Sequence, residues 1–236
     1  MAKPNRSLIS LDSEEKVIDF CLVHFVDEAN FAIDTHNTFS VALSGGSTPK
    51  KFYEALTESD EAKALDWSKI CLFWSDERSV PPTHADSNYH MAMQFFSKAP
   101  FDQAKVFRME AERPDHDQAA SDYAALILEH CSGARFDLVY LGLGEDGHTA
   151  SLFPGTEALT IQNKLVVANY VPQLKTWRMT LTFSCINNAR NIILIATGSK
   201  KTKILHDILD NQDQTLFPAQ QISGKDTPAF IVTDAY

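Results

Sequence analysis

The segment from Gly142 to His148 places a carboxylate and an imidazole within one glycine-rich turn. It follows an apolar run, Phe136 to Leu141, that predicts a buried strand, so the turn lies at the carboxyl end of that strand. The glycine spacing matches a dinucleotide-binding fingerprint, but Glu145 and Asp146 stand where a pyrophosphate requires bare backbone N–H groups. We therefore predict that Asp146 orients the His148 imidazole, as a general base requires. A capped turn with a surface histidine is the alternative that this segment alone leaves open.

A second glycine-rich segment has the composition of an anion-binding loop. It follows a strand predicted over Phe39 to Leu43 and precedes a helix predicted over Pro49 to Leu56. Glycines let a ligand approach the backbone, hydroxyls and N–H groups donate, and the helix N-terminus adds partial positive charge. The GK[ST] ending of a nucleoside triphosphate loop is missing, which favours another phosphate ligand over a simple capped turn. The candidate phosphate-binding residues are Ser44, Gly45, Gly46, Ser47 and Thr48.

A run of ionisable residues follows the next predicted strand, Ile70 to Trp74. It contains Asp76, Glu77 and Arg78, at the sheet edge where open α/β folds bind ligands. A solvated charge run is the alternative interpretation of these three residues.

Two further cations are candidates for an anionic ligand. Lys201 opens a helix after a strand predicted over Asn191 to Ala196, and can reach a phosphate as a point charge. Arg178 lies in a strand predicted over Trp177 to Phe183, whose apolar residues Met179, Leu181 and Phe183 are predicted to point to the opposite face. An arginine on a mostly covered sheet usually has an anionic partner. For Lys201 an ordinary surface lysine is the alternative.

The composition argues against several classes of protein. Among 236 residues, 31 are acidic and 21 basic, and the net charge of −10 argues against binding nucleic acid or an anionic membrane. The cysteines are at least 50 residues apart and no zinc-type histidine spacing occurs, so we expect no metal. No apolar run reaches the roughly 18 residues of a membrane span, and the N-terminus lacks a signal-peptide core. We therefore expect a cytoplasmic protein.

Strand and helix signals alternate along the whole chain. A capping-box pattern at Asp12 and Glu15 opens a first helix, in which Val17, Cys21 and Phe25 keep helical spacing. Later helices are predicted over Asn88 to Phe96, Ala120 to Cys131 and Lys200 to Leu209, and later strands over Lys105 to Arg108, Leu165 to Tyr170 and Ala229 to Thr233. The strands near Leu165 and Trp177 have no long helix between them, which favours an antiparallel pair. The pattern predicts an α/β fold, a doubly wound, mainly parallel sheet with helices on both faces, as a single domain over residues 1–236.

Four of these segments together resemble the 6-phosphogluconolactonase family of the glucosamine/galactosamine-6-phosphate isomerase superfamily. They are Ser44 to Pro49, Ser75 to Pro81 with Ser87 and Asn88, Gly142 to Pro154, and Ala196 to Gly198 with Lys201; Arg178 also matches in place. Order and spacing agree over nearly the whole chain, and no essential motif is missing. The resemblance implies a Rossmann-like fold of the sugar-phosphate isomerase type. It also implies hydrolysis of 6-phospho-D-glucono-1,5-lactone to 6-phospho-D-gluconate in the oxidative pentose phosphate pathway, without metal or organic cofactor.

This resemblance gives each candidate residue an expected role. His148, oriented by Asp146, is expected to activate water, and Arg78 to stabilise the oxyanion or orient the water. Asp76 is expected to position Arg78 or His148. The substrate and its phosphate are expected to be bound by the loop from Ser44 to Thr48 together with Asn88, Arg178 and Lys201. We expect the small sugar-phosphate lactone as the partner of a monomer or homodimer, and neither nucleic acid nor a membrane.

Two other functions remain as alternatives. The related glucosamine-6-phosphate deaminases share the fold, the Gly-Gly loop and the turn before the histidine. They resemble Asp-Glu-Tyr where this chain has Asp76, Glu77 and Arg78, and after the histidine turn they resemble Asn-Glu-Pro where it has the segment from Ser151 to Pro154, Ser-Leu-Phe-Pro. A non-catalytic sugar-phosphate sensor is the third possibility, but such proteins often carry a DNA-binding domain, and no additional domain or basic arm is evident.

Overall fold

A computed structural model describes residues 4–210 and 216–236, which form ten β-strands and seven α-helices. The strands are β1 (Arg6–Ser10), β2 (Phe39–Leu43), β3 (Ile70–Trp74), β4 (Asp76–Arg78), β5 (Lys105–Val106), β6 (Leu138–Gly142), β7 (Val166–Val171), β8 (Thr176–Leu181), β9 (Asn191–Ala196) and β10 (Ala229–Thr233). The helices are α1 (Glu14–His36), α2 (Ser47–Glu58), α3 (Asp60–Lys63), α4 (Asn88–Phe96), α5 (His116–His130), α6 (Phe183–Ile186) and α7 (Thr202–Asp210). None of these described helices combines the length and apolarity that crossing a membrane would require.

Seven strands form one parallel sheet in the order β1-β10-β9-β6-β2-β3-β5. Every residue of β2 and of β3 is buried. Parallel strands that are covered on both faces consist of continuous apolar runs, because neither face meets water. This is the reason that the strands predicted over Phe39 to Leu43 and Ile70 to Trp74 have the bounds found in the structure.

Helices cover both faces of this sheet, and each face has its own hydrophobic cluster. Along β2, Phe39, Val41 and Leu43 belong to the cluster under α1 and α2, whereas Ala42 belongs to the cluster under α5 and α7. This alternation follows from the two-residue period of a strand. The predicted doubly wound, mainly parallel α/β fold is confirmed.

The remaining strands form a separate antiparallel sheet in the order β4-β8-β7. The predicted antiparallel pairing of β7 with β8 is confirmed, but these strands do not extend the parallel sheet. The third member, β4, was not predicted as a strand, because it consists of the ionisable residues from Asp76 to Arg78. It pairs with β8 so that Arg78 lies opposite Arg178. The pairing of β4 with β8 thus brings together the segments around Arg78 and Arg178, which are far apart in the sequence.

Several predicted element ends were wrong. The cap of α1 is Ser13 rather than Asp12, since the Ser13 side chain accepts the hydrogen bond from the first turn. Helix α2 begins at Ser47, before Pro49, and Phe183 begins α6 instead of ending a strand. Strand β1 was not predicted, because it is a short strand at the edge of the sheet and none of its five residues is fully buried.

Candidate active site

All four strand-end segments meet at one cleft of about 240 Å³ at the carboxyl edge of the parallel sheet. The cleft is lined by Ser44, Gly45, Gly46, Asp76, Arg78, Gly142, Leu143, Gly144, His148, Ala150 and Lys201. The structure therefore brings together most of the residues selected from the sequence. Ser47, Thr48, Asn88, Asp146 and Arg178 are not in this lining; all of them except Thr48 contact or neighbour a residue that is.

The imidazole of His148 is fixed by two neighbours. Its Nδ1 lies 2.5 Å from Oδ1 of Asp146, and that carboxylate also accepts the His148 backbone N–H at 3.2 Å. The Phe153 ring stacks on the imidazole, with ring centroids 4.0 Å apart and an angle of 21° between the planes. Because a carboxylate accepts at Nδ1, the neutral ring carries its proton there and keeps the Nε2 lone pair. Nε2 has no hydrogen-bond partner among the described residues, as a base that receives a proton from a ligand requires.

The glycine before this pair is a steric requirement of the imidazole. A Cβ on Gly144 would lie 2.1 Å from Nδ1 of His148 and 2.6 Å from Oδ1 of Asp146. The turn closes with Gly147, whose φ of +77° lies in the left-handed region that favours glycine. The glycines of this segment match a dinucleotide fingerprint, but they serve another purpose than nucleotide binding. Gly144 leaves room for the imidazole, and Gly147 allows the turn.

The predicted phosphate loop offers backbone donors at its two glycines. Tyr53 occupies both backbone groups of Ser44, since its hydroxyl accepts from the Ser44 N–H at 3.0 Å and donates to the Ser44 carbonyl at 2.7 Å. Among the described residues, no hydrogen bond uses the N–H groups of Gly45 and Gly46. The Thr48 hydroxyl is instead 2.6 Å from that of Thr197, so it connects two strand-end loops.

Asp76 is a buried carboxylate at the base of the cleft. Its Oδ2 accepts a hydrogen bond of 2.6 Å from the Ser151 hydroxyl, and its Oδ1 accepts one of 3.4 Å from the Asn88 amide. The Asn88 amide also lies against Gly45, where a Cβ would come 1.8 Å from its Oδ1. Asn88 therefore shapes the loop and supports Asp76.

Glu77 has the role of a helix cap. Its carboxylate accepts hydrogen bonds from the backbone N–H groups of Arg78, Asn88 and Tyr89 and from the Ser87 hydroxyl. Burial raises the pKa of the Glu77 carboxyl, although these four hydrogen bonds act in the opposite direction. Glu77 thereby fixes the start of α4, and with it Asn88, beside the cleft.

Two arginines lie opposite each other across β4 and β8. Arg78 is fixed by a hydrogen bond of 2.7 Å from its guanidinium to the Asp86 carbonyl oxygen. Burial lowers the pKa of Arg178, and the positive charge of Arg78 lowers it further. Like charges directly opposite each other destabilise a sheet, so this pair favours an anion as ligand. In the described part of the chain, neither arginine nor Lys201 forms an ion pair with a carboxylate.

Three residues that touch this site were missed from the sequence. From the sequence, Glu77 has no predicted role beyond membership of a run of ionisable residues. Ser151 and Phe153 are included there only as members of the segment that matches the family. The available signal was the spacing of Ser151 and Phe153 after His148, which places one hydroxyl and one ring within reach of the cleft.

Among the described residues, no cluster of histidine, cysteine, aspartate and glutamate could bind a metal ion.

The fold and the cleft define an α/β protein whose cleft lies at the carboxyl ends of parallel strands, the place where open sheets of this kind bind ligands. A family model described as glucosamine-6-phosphate isomerases/6-phosphogluconolactonase matches residues 12–231. A 6-phosphogluconolactonase from Chlamydia pneumoniae is 40% identical over 215 residues, which are 90% of this chain and 82% of that relative. This chain belongs to the family of glucosamine-6-phosphate isomerases and 6-phosphogluconolactonases.

Solved structures agree with this assignment. A 6-phosphogluconolactonase from Shewanella baltica superposes with a TM-score of 0.86 at 26% identity, covering 97% of both chains. One from Trypanosoma cruzi has a TM-score of 0.80 at 30% identity and covers 99% of this chain and 96% of its own. The family resemblance and the fold class predicted from the sequence are therefore confirmed.

Proposed function

We propose that this chain hydrolyses 6-phospho-D-glucono-1,5-lactone to 6-phospho-D-gluconate. One observation carries the proposal: the paired His148 lines the same cleft as Arg78, Lys201 and the free backbone donors of Gly45 and Gly46. A base and an anion site in one cleft of this size suit a small phosphorylated electrophile. The relatives named 6-phosphogluconolactonase support the same substrate.

The phosphate is assigned to the positive side of the cleft. Gly45 and Gly46 supply N–H donors, Ser44 supplies a hydroxyl, and Lys201 supplies a charge. Arg178 adds charge from β8 beside Arg78. Binding the phosphate there orients the lactone carbonyl relative to His148, which converts a bimolecular reaction into a positioned one.

The proton transfers are assigned to His148. Its Nε2 removes a proton from water as the water oxygen bonds to the lactone carbonyl carbon, and Asp146 stabilises the imidazolium. Collapse of the tetrahedral intermediate breaks the bond from that carbon to the ring oxygen. The imidazolium returns its proton to this oxygen, so the products are a hydroxyl and a carboxylic acid, one water is consumed, and the acid then releases its proton to the solvent as it becomes the carboxylate.

Arg78 has two candidate roles in the same cleft: oxyanion stabilisation and phosphate binding. They predict different results for Arg78→Gln with phosphorylated and non-phosphorylated gluconolactone. An oxyanion role lowers kcat for both lactones equally, whereas a phosphate role removes the preference for the phosphorylated one. Asp76, fixed by Ser151 and Asn88, is assigned a positioning role towards Arg78 or His148.

The direct test is hydrolysis of the lactone by the purified chain, treated with a chelator and supplied with no cofactor. We expect acid release above the spontaneous rate, together with a strong preference for the phosphorylated lactone. Glucosamine 6-phosphate is the comparison substrate. Rapid ammonia release from it, with no acceleration of lactone hydrolysis, would replace this proposal with the deaminase alternative.

We infer a single domain over residues 1–236, present in the cytoplasm as a monomer or homodimer. Limited proteolysis, cell fractionation and light scattering test these three statements separately. A stable proteolytic fragment that folds alone would contradict the single domain.

A further inference from the structure

A second pocket of about 350 Å³ adjoins the cleft and shares Gly46 and Arg78 with it. It lies between α2 and α4; Lys50 and Arg78 line it with positive charges, and His90 lines it with an imidazole that can form a hydrogen bond. His148 and Lys201 line the cleft but not this pocket. Ser47 and Asn88, which belong to the expected substrate site, also line this pocket, so the pocket borders that site and differs from it in Lys50 and His90.

The charge balance of this pocket is opposite to that of the chain. The net charge is −10, yet the only carboxylate in the described lining is that of Asp86, which lies mostly in solvent, 3.7 Å from His84. Lys51 pairs with Glu14 at 2.5 Å, whereas its neighbour Lys50 forms no ion pair in the described part of the chain. In a chain with an excess of acids, unpaired cations around a cavity favour an anionic ligand.

The position of Arg78 sets how this pocket affects the cleft. Its guanidinium is anchored by the Asp86 carbonyl at 2.7 Å and lines both spaces. An anion in the pocket takes up N–H donors of Arg78 and repels a second anion in the cleft. Binding in one space thus weakens binding in the other.

We propose that this pocket is a second anion site, which binds inorganic phosphate or a small phosphate monoester and weakens lactone binding when it is filled. Lys50 and His90 supply the contacts that belong to this site alone. The expected weakening of lactone binding rests on the proposed lactonase function, whereas the binding of an anion in this pocket does not.

Calorimetric titration of the wild type with inorganic phosphate tests the binding. We expect two classes of site, and in Lys50→Gln/His90→Gln the affinity of one class falls at least about tenfold. The matched control is Lys98→Gln, an exposed lysine after the end of α4 that does not line the pocket, which should keep both classes. One class of site in the wild type, unchanged in the double variant, would disprove the second site.

Kinetics test the effect on the reaction. In Lys50→Gln/His90→Gln we expect kcat/KM for the lactone within about twofold of the wild type, and weaker inhibition by phosphate. A fall of about tenfold or more, as expected for Lys201→Gln, would instead make the pocket part of the substrate's own phosphate site and overturn the proposal. If the wild type lacks lactonase activity, the calorimetry still decides whether the second site exists.

A parallel titration with ethyl phosphate distinguishes the two proposed ligands, inorganic phosphate and a phosphate monoester. Equal affinity of the Lys50-dependent site for both ligands identifies a phosphate monoester as a fitting occupant. Binding of inorganic phosphate alone identifies the free anion.

Discussion

At the scale of single residues, the pairing of His148 with Asp146 sets the first prediction. His148→Ala should lower kcat by roughly 10²–10⁴-fold, the usual contribution of one general base, with little change in phosphate affinity. Asp146→Asn should lower kcat less, since the imidazole remains. Steady-state kinetics of both variants check this order. Near-normal kcat in His148→Ala would remove the residue from the proposed role.

Phe153 gives a second prediction at this scale. Its ring lies 4.0 Å from the imidazole and fixes the plane of that ring. Phe153→Leu keeps most of the apolar volume but removes the flat surface, so kcat should fall about two- to tenfold with KM nearly unchanged. Phe153→Tyr restores the ring and should restore kcat. An equal loss in both variants, or a rise in KM alone, would show that stacking does not position His148.

Most residues of the cleft could be predicted from the sequence, but some of their contacts could not. The cleft residues Ser44, Gly45, Arg78, His148 and Lys201 were all chosen from strand ends, because parallel strands end at one edge. The sequence did not indicate that Thr48 bonds to Thr197 or that Arg178 lies outside the cleft lining. Both depend on which loops meet in space, and no local pattern encodes that.

At the scale of the elements, the turn after β6 depends on a missing side chain. In Gly144→Ala the new Cβ would overlap the imidazole, so kcat should fall by about 10²-fold or more, approaching His148→Ala. Gly142→Ala is the matched control, because its Cβ would meet only the Ser44 hydroxyl, at an ordinary 3.8 Å. Kinetics and circular dichroism of both variants separate loss of chemistry from loss of folding. Equal kcat in the two variants would contradict the steric argument.

The start of α4 gives a second prediction at this scale. The Glu77 carboxylate accepts from three backbone N–H groups, and a glutamine amide nitrogen cannot accept. Glu77→Gln should therefore leave a buried donor unpaired and lower the free energy of unfolding by about 1–3 kcal/mol. Urea denaturation measures this. A stability equal to that of the wild type would show that the cap contributes nothing.

The elements also differ in how well local pattern predicts them. Strands β2, β3, β9 and β10 and helix α4 have the bounds expected from the sequence, because each is a strong apolar or periodic segment. Strand β4 was missed because two of its residues, Asp76 and Glu77, are buried carboxylates. Their burial depends on donors such as Ser151 and Asn88, and such partners come from distant parts of the chain.

At the scale of the whole molecule, His24 makes stability depend on pH. It is packed between Phe20 and Phe230, and burial lowers the pKa of its imidazole. Below the ordinary histidine pKa of about 6.5 the unfolded chain therefore binds a proton that the folded chain does not, and stability falls with falling pH. At higher pH both states are neutral and this effect is absent.

The variant His24→Gln should make the fall in stability between pH 7.5 and pH 5.5 shallower than in the wild type. Urea denaturation of both proteins at the two pH values measures the difference. Val23→Gln, at an exposed residue of α1 that carries no titratable group, is the control and should keep the wild-type slope. Parallel pH dependence in wild type and His24→Gln would remove His24 as the cause.

The order of strands in the parallel sheet has a consequence for synthesis. Strand β1 lies at the edge of the sheet and, among the described strands, pairs only with β10, so that Arg6 is opposite Ala229. A ribosome makes the first of these partners long before the second. Throughout translation β1 therefore has no place in the sheet, and the open edge of β9 stays unpaired until β10 emerges. The last step of sheet assembly thus waits until β10 has been made, and a chain interrupted before β10 exposes an aggregation-prone strand edge.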